Sequence, residues 1–364
     1  MYRWLSSTLI DVTGIVVIAI AAYFMLASQF IGAAWSMKLP ASFQQFSTIL
    51  LSIIIEAVPF VLIGVIIAGC IQIFVTEEQI RRWIPKNRFL AAMMGCVIGA
   101  LFPGYECGIV PIVRRLVAKG VPLHAAVGFL LTGPLINPIV ILATYMAFGN
   151  DGTIAALRMG VGFVDALIIA FIIGFLFPSN QLKTAAASDV REHVKRASLF
   201  HRLEEVLKHS IDEFFDTGKY LIIGACFAAF MQTYVHTKSL FLFGDGDFGK
   251  TIVMMVLAYF LSLCSEADAF IAASFKSLFP VTSILAFLVY GPMIDLKNTI
   301  MLLSSFRVRF VLVLLVLITS VVFISVHLMM YKPANKIAWR EKIKAKGTND
   351  FRWPLYAPFN SVCL

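Results

Sequence analysis

The chain has 364 residues, of which 60% are hydrophobic and 14% charged, with a mean hydropathy of +0.87. A water-soluble domain is roughly half apolar and a quarter charged, so this composition excludes one and points to a polytopic membrane protein. The net charge of +9 fits Lys and Arg collected in cytoplasmic loops, and no nucleic-acid motif accompanies it.

Apolar segments follow in chain order. The run at 10–31 can cross a bilayer and no convincing small-residue cleavage site follows it, so a retained helix is expected over about 8–30. A second helix is expected over 47–75, then a basic loop, TEEQIRRWIPKNR. Stretches at 89–102 and 109–118 are split by FPGYECGIVP (102–111), 122–148 is interrupted by GPLINP (133–138), and another segment covers 154–177. A polar stretch, 178–210, precedes 214–236 and a loop containing FGDGDFG, read as an external turn. Then 250–263 and 267–279 are split by CSEAD (264–268), 281–306 is interrupted by GPMID (291–295), and a last helix covers 308–331. Within 189–214, Val190, Val194, Leu203, Val206, Leu207 and Ile211 fall on helical spacing among charges. That pattern fits an amphipathic helix on the inner surface, or a linker helix packed on its own protein.

The two halves run parallel. Gly64, Ala68, Gln72 and Val75 recur as Gly224, Ala228, Gln232 and Val235, each 160 positions later, and Glu56 and Glu106 recur as Asp216 and Glu266. FLLTGPLIN recurs as FLVYGPMID at an offset of 158, pairing Asn137 with Asp295. Arg81, Arg82, Lys86 and Arg88 place the loop after the second helix inside, and Arg114, Arg115 and Lys119 bring the next segment back to that side. The segment 89–119 therefore reads as a re-entrant hairpin. Lys183, Arg191, Lys195, Arg196 and Arg202 put 178–210 inside as well, so the second copy starts from the opposite face. The expected fold is an all-α integral membrane protein of two inverted-topology repeats with broken or re-entrant helices. Its parts are an N-terminal extra helix and outer loop (1–45), repeat 1 (46–177), a cytoplasmic linker (178–210), repeat 2 (211–331) and a basic tail (332–364). The same count puts that tail outside, against its charge.

Broken backbone at membrane depth survives only inside protein or beside water. Pro103, Gly104, Gly108 and Pro111 mark the first break, and Gly133, Pro134, Gly291 and Pro292 the second pair. Free helix ends offer partial charge to a ligand, and Glu106 adds a carboxylate. A structural Glu that caps exposed amides is the alternative. Joined at a pseudo-two-fold axis, the breaks form a pocket of Tyr105, Glu106, Cys107, Cys264, Ser265 and Glu266, with Asp268 beside it. Asn137 and Asp295 either complete the cavity or satisfy freed backbone. Asp165, alone in GVGFVDALIIAF, reads as a proton relay or a counter-charge to Arg158 or another base. Cys70, Cys96 and Cys226 read as small buried hydrophobes, no CxxC occurs, and neither a cofactor nor a specific metal spacing is indicated. Thiolates beside carboxylates could still take a soft cation.

The order FPGYECGIVPIVRRLVAKGVPLHAAVGFLLTGPLINPIV, LCSEADAFIAASF, AFLVYGPMIDLKN resembles the ArsP-type predicted permease family over roughly 45–330. The resemblance implies a multi-span inner-membrane permease with two related halves, some of whose relatives export trivalent methylated arsenicals. Where many relatives carry Cys-Ser-Cys at the first break, this chain has Tyr105-Glu106-Cys107 and keeps one thiol there.

The resulting expectation is a secondary transporter in the cell (inner) membrane, moving a small solute or ion through the paired breaks. A soft metal or metalloid cargo and proton coupling are open variants. The alternative is a membrane-embedded thiol or redox enzyme at Cys107 or Cys264, or a membrane subunit of a partner complex. No nucleophile–base–orienter set and no P-loop are present in the sequence. The expected partners are the lipid bilayer, the solute and a membrane or extracytoplasmic protein, with no nucleic acid.

Overall fold

A computed structural model describes residues 40–102, 106–183, 199–234 and 246–331. The expected first helix, the basic tail, and Pro103, Gly104 and Tyr105 of the first break lie outside the described residues. The chain divides into two units, Met1–Val326 and His327–Leu364. The site lies in the first; of the second, the described part is the end of the last helix.

The described elements are helices, apart from one isolated antiparallel bridge between Leu182 and Phe306. In chain order they are α1 Ala41–Phe74, α2 Glu77–Trp83, α3 Arg88–Leu101, α4 Glu106–Ala118, α5 Leu123–Thr132, α6 Pro138–Ala147 and α7 Gly152–Leu176. Then come α8 Leu199–Tyr234, α9 Gly246–Leu261, α10 Ser265–Ser274, α11 Val281–Met293, α12 Leu296–Ser305 and α13 Val308–Tyr331. The order of one long helix, four short ones and another long helix runs twice, with α2 inserted in the first pass. Helices α6 and α12 are the same ten positions 158 residues apart.

Among the described residues, five segments are long and apolar enough to cross a membrane: Ala41–Phe74, Gly152–Leu176, Arg202–Tyr234, Val281–Ser305 and Val308–Met329. The short helices come in consecutive pairs. At 1.5 Å per residue α3 is about 21 Å long and α5 about 15 Å, short of a hydrocarbon core of about 30 Å. The pair α11–α12 sits inside Val281–Ser305, where 89% of the residues in its apolar 18-residue stretch are buried by protein, against 28–39% in the other four. That enclosure lets its backbone break at Ile294 without exposing unpaired groups to lipid.

Local chemistry sets the breaks. Helix α6 starts on Asn137, whose Oδ1 accepts from Ile139 N at 3.0 Å, with Pro138 in the first turn where no N–H is required. Helix α12 starts on Asp295, whose Oδ1 accepts from Asn298 N at 2.7 Å. Gly133 is the C-cap of α5 in right-handed helical geometry; its role is space, since a Cβ there would lie 2.3 Å from Ile109 Cδ1.

Several expectations need correction. Gly108 and Pro111 do not break the chain: α4 runs through both. Pro111 lacks the N–H that would bond the Cys107 carbonyl, one helical turn back, yet the helix continues. Gly291 and Pro292 also lie within α11, and the break comes after Met293. The basic loop TEEQIRRWIPKNR contains α2, opened by a capping box in which Thr76 and Gln79 serve each other's backbone. From Gly246 onward the expected external turn is the first turn of α9. The helical spacing read within 189–214 is helix from Leu199 onward, continuous with α8.

Helix α1 packs along α8, the corresponding member of the second pass. The short helices cross over: α4 packs on α12, and α10 on α6. The sites of the first pass are therefore built against elements of the second.

Candidate functional site

Close backbone approach fixes where α4 begins. A Cβ on Gly64 of α1 would fall 2.2 Å from the Gly108 carbonyl oxygen, and a Cβ on Gly108 would fall 2.5 Å from the Phe60 oxygen. Two glycines thus let α1 and α4 touch backbone to backbone. On the other side, a Cβ on Gly224 of α8 would lie 2.8 Å from Lys297 Cα, which sets α12 against α8.

These contacts bring three helix starts together. Glu106 opens α4, Ser265 opens α10 and Asp295 caps α12. Ser265 Oγ donates to Glu106 Oε1 in a short hydrogen bond. Lys297 Nζ donates to the Ser262 carbonyl at 2.7 Å and approaches the Leu263 carbonyl at 3.4 Å. The same ammonium lies 3.3 Å from Asp295 Oδ2 and 3.8 Å from Glu106 Oε2. Ser262 takes a left-handed φ of +46° just after α9, a conformation a non-glycine residue adopts at a local cost, and its carbonyl is the one that Lys297 holds. Acids at the starts of α4 and α10 also meet the positive ends of those helices.

A second cation completes the junction. Arg158 of α7 is 1% exposed; its Nη1 donates to Thr144 Oγ1 of α6 at 2.7 Å and its Nη2 to the Ser265 carbonyl at 3.1 Å. Arg158 thereby ties two helices of the first pass to the break of the second. Asp268 is 2% exposed and lies in the fields of Arg158 and Lys297. Gly291 leaves room for it: a Cβ there would be 2.8 Å from Asp268 Oδ2.

The groups surround a cavity of about 20 Å³, enough for roughly one water. Glu56, Ala57 and Phe60 of α1, Glu106 and Cys107 of α4, Cys264 and Ser265 at the α9–α10 break, and Lys297 of α12 line it. Glu106 Oε2, Asp295 Oδ2 and Glu266 Oε1 are buried without a hydrogen-bond partner among the described residues. Three fully buried carboxyl groups, Glu106, Asp268 and Asp295, face two buried cations, Lys297 and Arg158.

Of the sequence-derived candidates, Glu106, Cys107, Cys264 and Ser265 meet at the cavity, with Asp268 and Asp295 close behind. Glu266 is half-buried one residue away from Ser265. Asn137 caps α6 and is not among the cavity-lining residues. Asp165 stands elsewhere: its Oδ2 accepts from Ser325 Oγ at 2.8 Å, and Arg158 turns to Thr144 and Ser265 instead of to Asp165. Neither Lys297 nor Glu56 stands among the sequence-derived candidates, Glu56 having entered only as the repeat counterpart of Asp216. Lys297 carries its own signal, a charge two residues past a helix break in an apolar segment. Arg114 and Arg115, read as loop charges, are buried and clamp Glu213 of α8 at 2.9 and 2.5 Å.

Comparison with known proteins agrees with the membrane architecture. The ArsP_1 family model, described as a predicted permease, matches residues 42–331. The UPF0718 protein YcgR of Bacillus subtilis is 52% identical over 288 residues, covering 79% of this chain and 97% of its own. A Streptococcus mutans protein named "Putative two-component membrane permease complex subunit" is 42% identical over 274 residues, covering 75% of this chain and 91% of its own. The UPF0718 protein YraQ of Escherichia coli is 28% identical over 115 residues, 30% of this chain and 32% of its own. No solved structure matches.

Proposed function

The chain belongs to the ArsP_1 predicted permease family, a multi-pass membrane family, and from that membership we propose that it is a secondary transporter with its site at the junction of α4, α10 and α12. The two passes are inverted-topology repeats in the cell (inner) membrane, and the paired short helices are re-entrant or broken spans. The carrying observation is the hydrogen bond from Ser265 to Glu106, which joins the helix starts of the two passes beside a small cavity. Helix breaks that meet between repeats are where transporters of this architecture hold their cargo.

The cargo is a small solute or ion. Cys107 and Cys264 line the cavity together, which favours a soft metal or metalloid species as one cargo class. The excess of buried carboxyls over buried cations supports coupling to protons or another cation, because an uncompensated acid at this depth is costly unless it carries a proton or a counter-ion. The Streptococcus relative is named as a complex subunit, which supports a membrane or extracytoplasmic protein partner here as well.

Vesicle flux tests the assignment. Uptake and efflux of a panel of metals and metalloids are compared between the parent chain, Glu106→Gln and Cys107→Ser. Loss of movement in the variants of a species that the parent carries supports the site; unchanged movement in both variants refutes it.

A further inference from the structure

Lys297 is held as a free cation would be held. Its ammonium meets two backbone carbonyls, Ser262 at 2.7 Å and Leu263 at 3.4 Å, and two carboxylates, Asp295 at 3.3 Å and Glu106 at 3.8 Å. All four donors are hard oxygens. Two of them come from the unwound backbone after α9, the kind of carbonyl that coordinates small cations in broken-helix transporters. The lysine is 4% exposed and its stem rests against Gly224, so the head is buried in the cage. Glu106 is 4% exposed, lines the cavity, and its Oε2 has no hydrogen-bond partner among the described residues; the one-water space beside it is open to a second occupant. Glu56, also on the cavity wall, offers the ammonium an alternative carboxylate when it leaves.

We propose that this oxygen cage is a site for a small monovalent cation, and that Lys297 is its tethered substitute, filling the cage when no free cation is bound. The inference rests on the transport reading and gives it a coupling device. Either the lysine or a free cation neutralises Asp295 and Glu106, so the site never stands with both acids bare. An empty carrier returns with Lys297 in the cage; a loaded one carries the cation there and turns Lys297 toward Glu56. The cargo-binding thiols Cys107 and Cys264 lie on the same cavity but belong to a separate donor set.

The test uses the full chain, purified in detergent, and reads thermal stability. Lys297→Ala vacates the cage, and Lys297→Met fills the stem path while removing the charge. Each is heated in sodium, potassium, methylammonium or choline chloride at matched ionic strength. Both variants are expected to melt below the parent and to regain about 2 °C in the best small cation at about ten times its Kd, relative to choline, which is too large for the cage. Adding Asp295→Asn to either variant is expected to remove the regain. Equal melting in all four salts overturns the cage, and so does failure to recover either variant folded in any of them. That result leaves the flux comparison of Glu106→Gln standing, so the two readings fail separately.

Discussion

Ser265, the first residue of α10, donates its hydroxyl to Glu106, the first residue of α4, across 159 positions of sequence. Both are buried, and the bond ties the two passes of the fold beside the link from Arg158 to the Ser265 carbonyl. Hydrogen bonds to charged groups contribute about 1.5–3 kcal/mol. Ser265→Ala is expected to destabilise the protein by that amount. Thermal or denaturant unfolding checks it, and a cycle with Glu106→Gln is expected to show coupling above about 0.5 kcal/mol.

Gly64 and Gly108 allow backbone contact, and that contact has no room for a methyl group. Gly64→Ala is expected to cost several kcal/mol, because backbone atoms rather than a flexible side chain must yield. Gly160 and Gly218, whose Cβ would meet nothing within 4 Å, supply the control. There the same change is expected to be neutral, or to stabilise by about 0.5–1 kcal/mol through better helix propensity. Melting temperatures of the three variants separate the cases.

Much of this arrangement could be read in the residues. Hydropathy gave the long helices, and the recurrence of Glu106 as Glu266 and of GPLIN as GPMID located the short ones. The break positions were less legible: proline and glycine suggested interruptions at Pro111 and Pro292, but tertiary packing carries helices through both. Lys297 was passed over because its counterpart in the first pass is Ile139, so comparing the passes hides it. The clamp of Arg114 and Arg115 on Glu213 was also invisible, since charge near a span's end reads as orientation, and only the fold shows it buried.

That clamp separates buried from surface electrostatics. Glu213 is 2% exposed and meets two guanidinium groups. Glu213→Ala leaves two buried cations without their shared acid and is expected to cost about 3–5 kcal/mol, with little dependence on salt. Lys208 and Glu204, a more exposed pair on the same helix, make the contrast: Lys208→Ala is expected to cost less than about 0.5 kcal/mol and to be salt-sensitive. Unfolding at two ionic strengths distinguishes them.

Arg158 uses two nitrogens on two partners, the Thr144 hydroxyl and the Ser265 carbonyl. A lysine has one head and cannot span both. Arg158→Lys is therefore expected to destabilise by about 1.5–3 kcal/mol despite keeping the charge. Thr144→Val, which removes one of the two acceptors, is expected to be milder. Loss of stability in Arg158→Lys no greater than in Thr144→Val would show that the fork does not tie α6 to α10.

Alternating access of the proposed transporter opens the cavity between the two related halves to each face of the membrane in turn. Its most direct measurement is thiol accessibility in a chain whose Cys70, Cys96, Cys226 and Cys363 are replaced by serine, leaving Cys107 and Cys264 on the cavity wall. A membrane-impermeant maleimide is applied to right-side-out and to inverted vesicles. At least one of the two thiols is expected to be modified from both faces, at rates that change when Glu106 is replaced by Gln. Modification from one face alone, or from neither while the denatured chain labels fully, contradicts it.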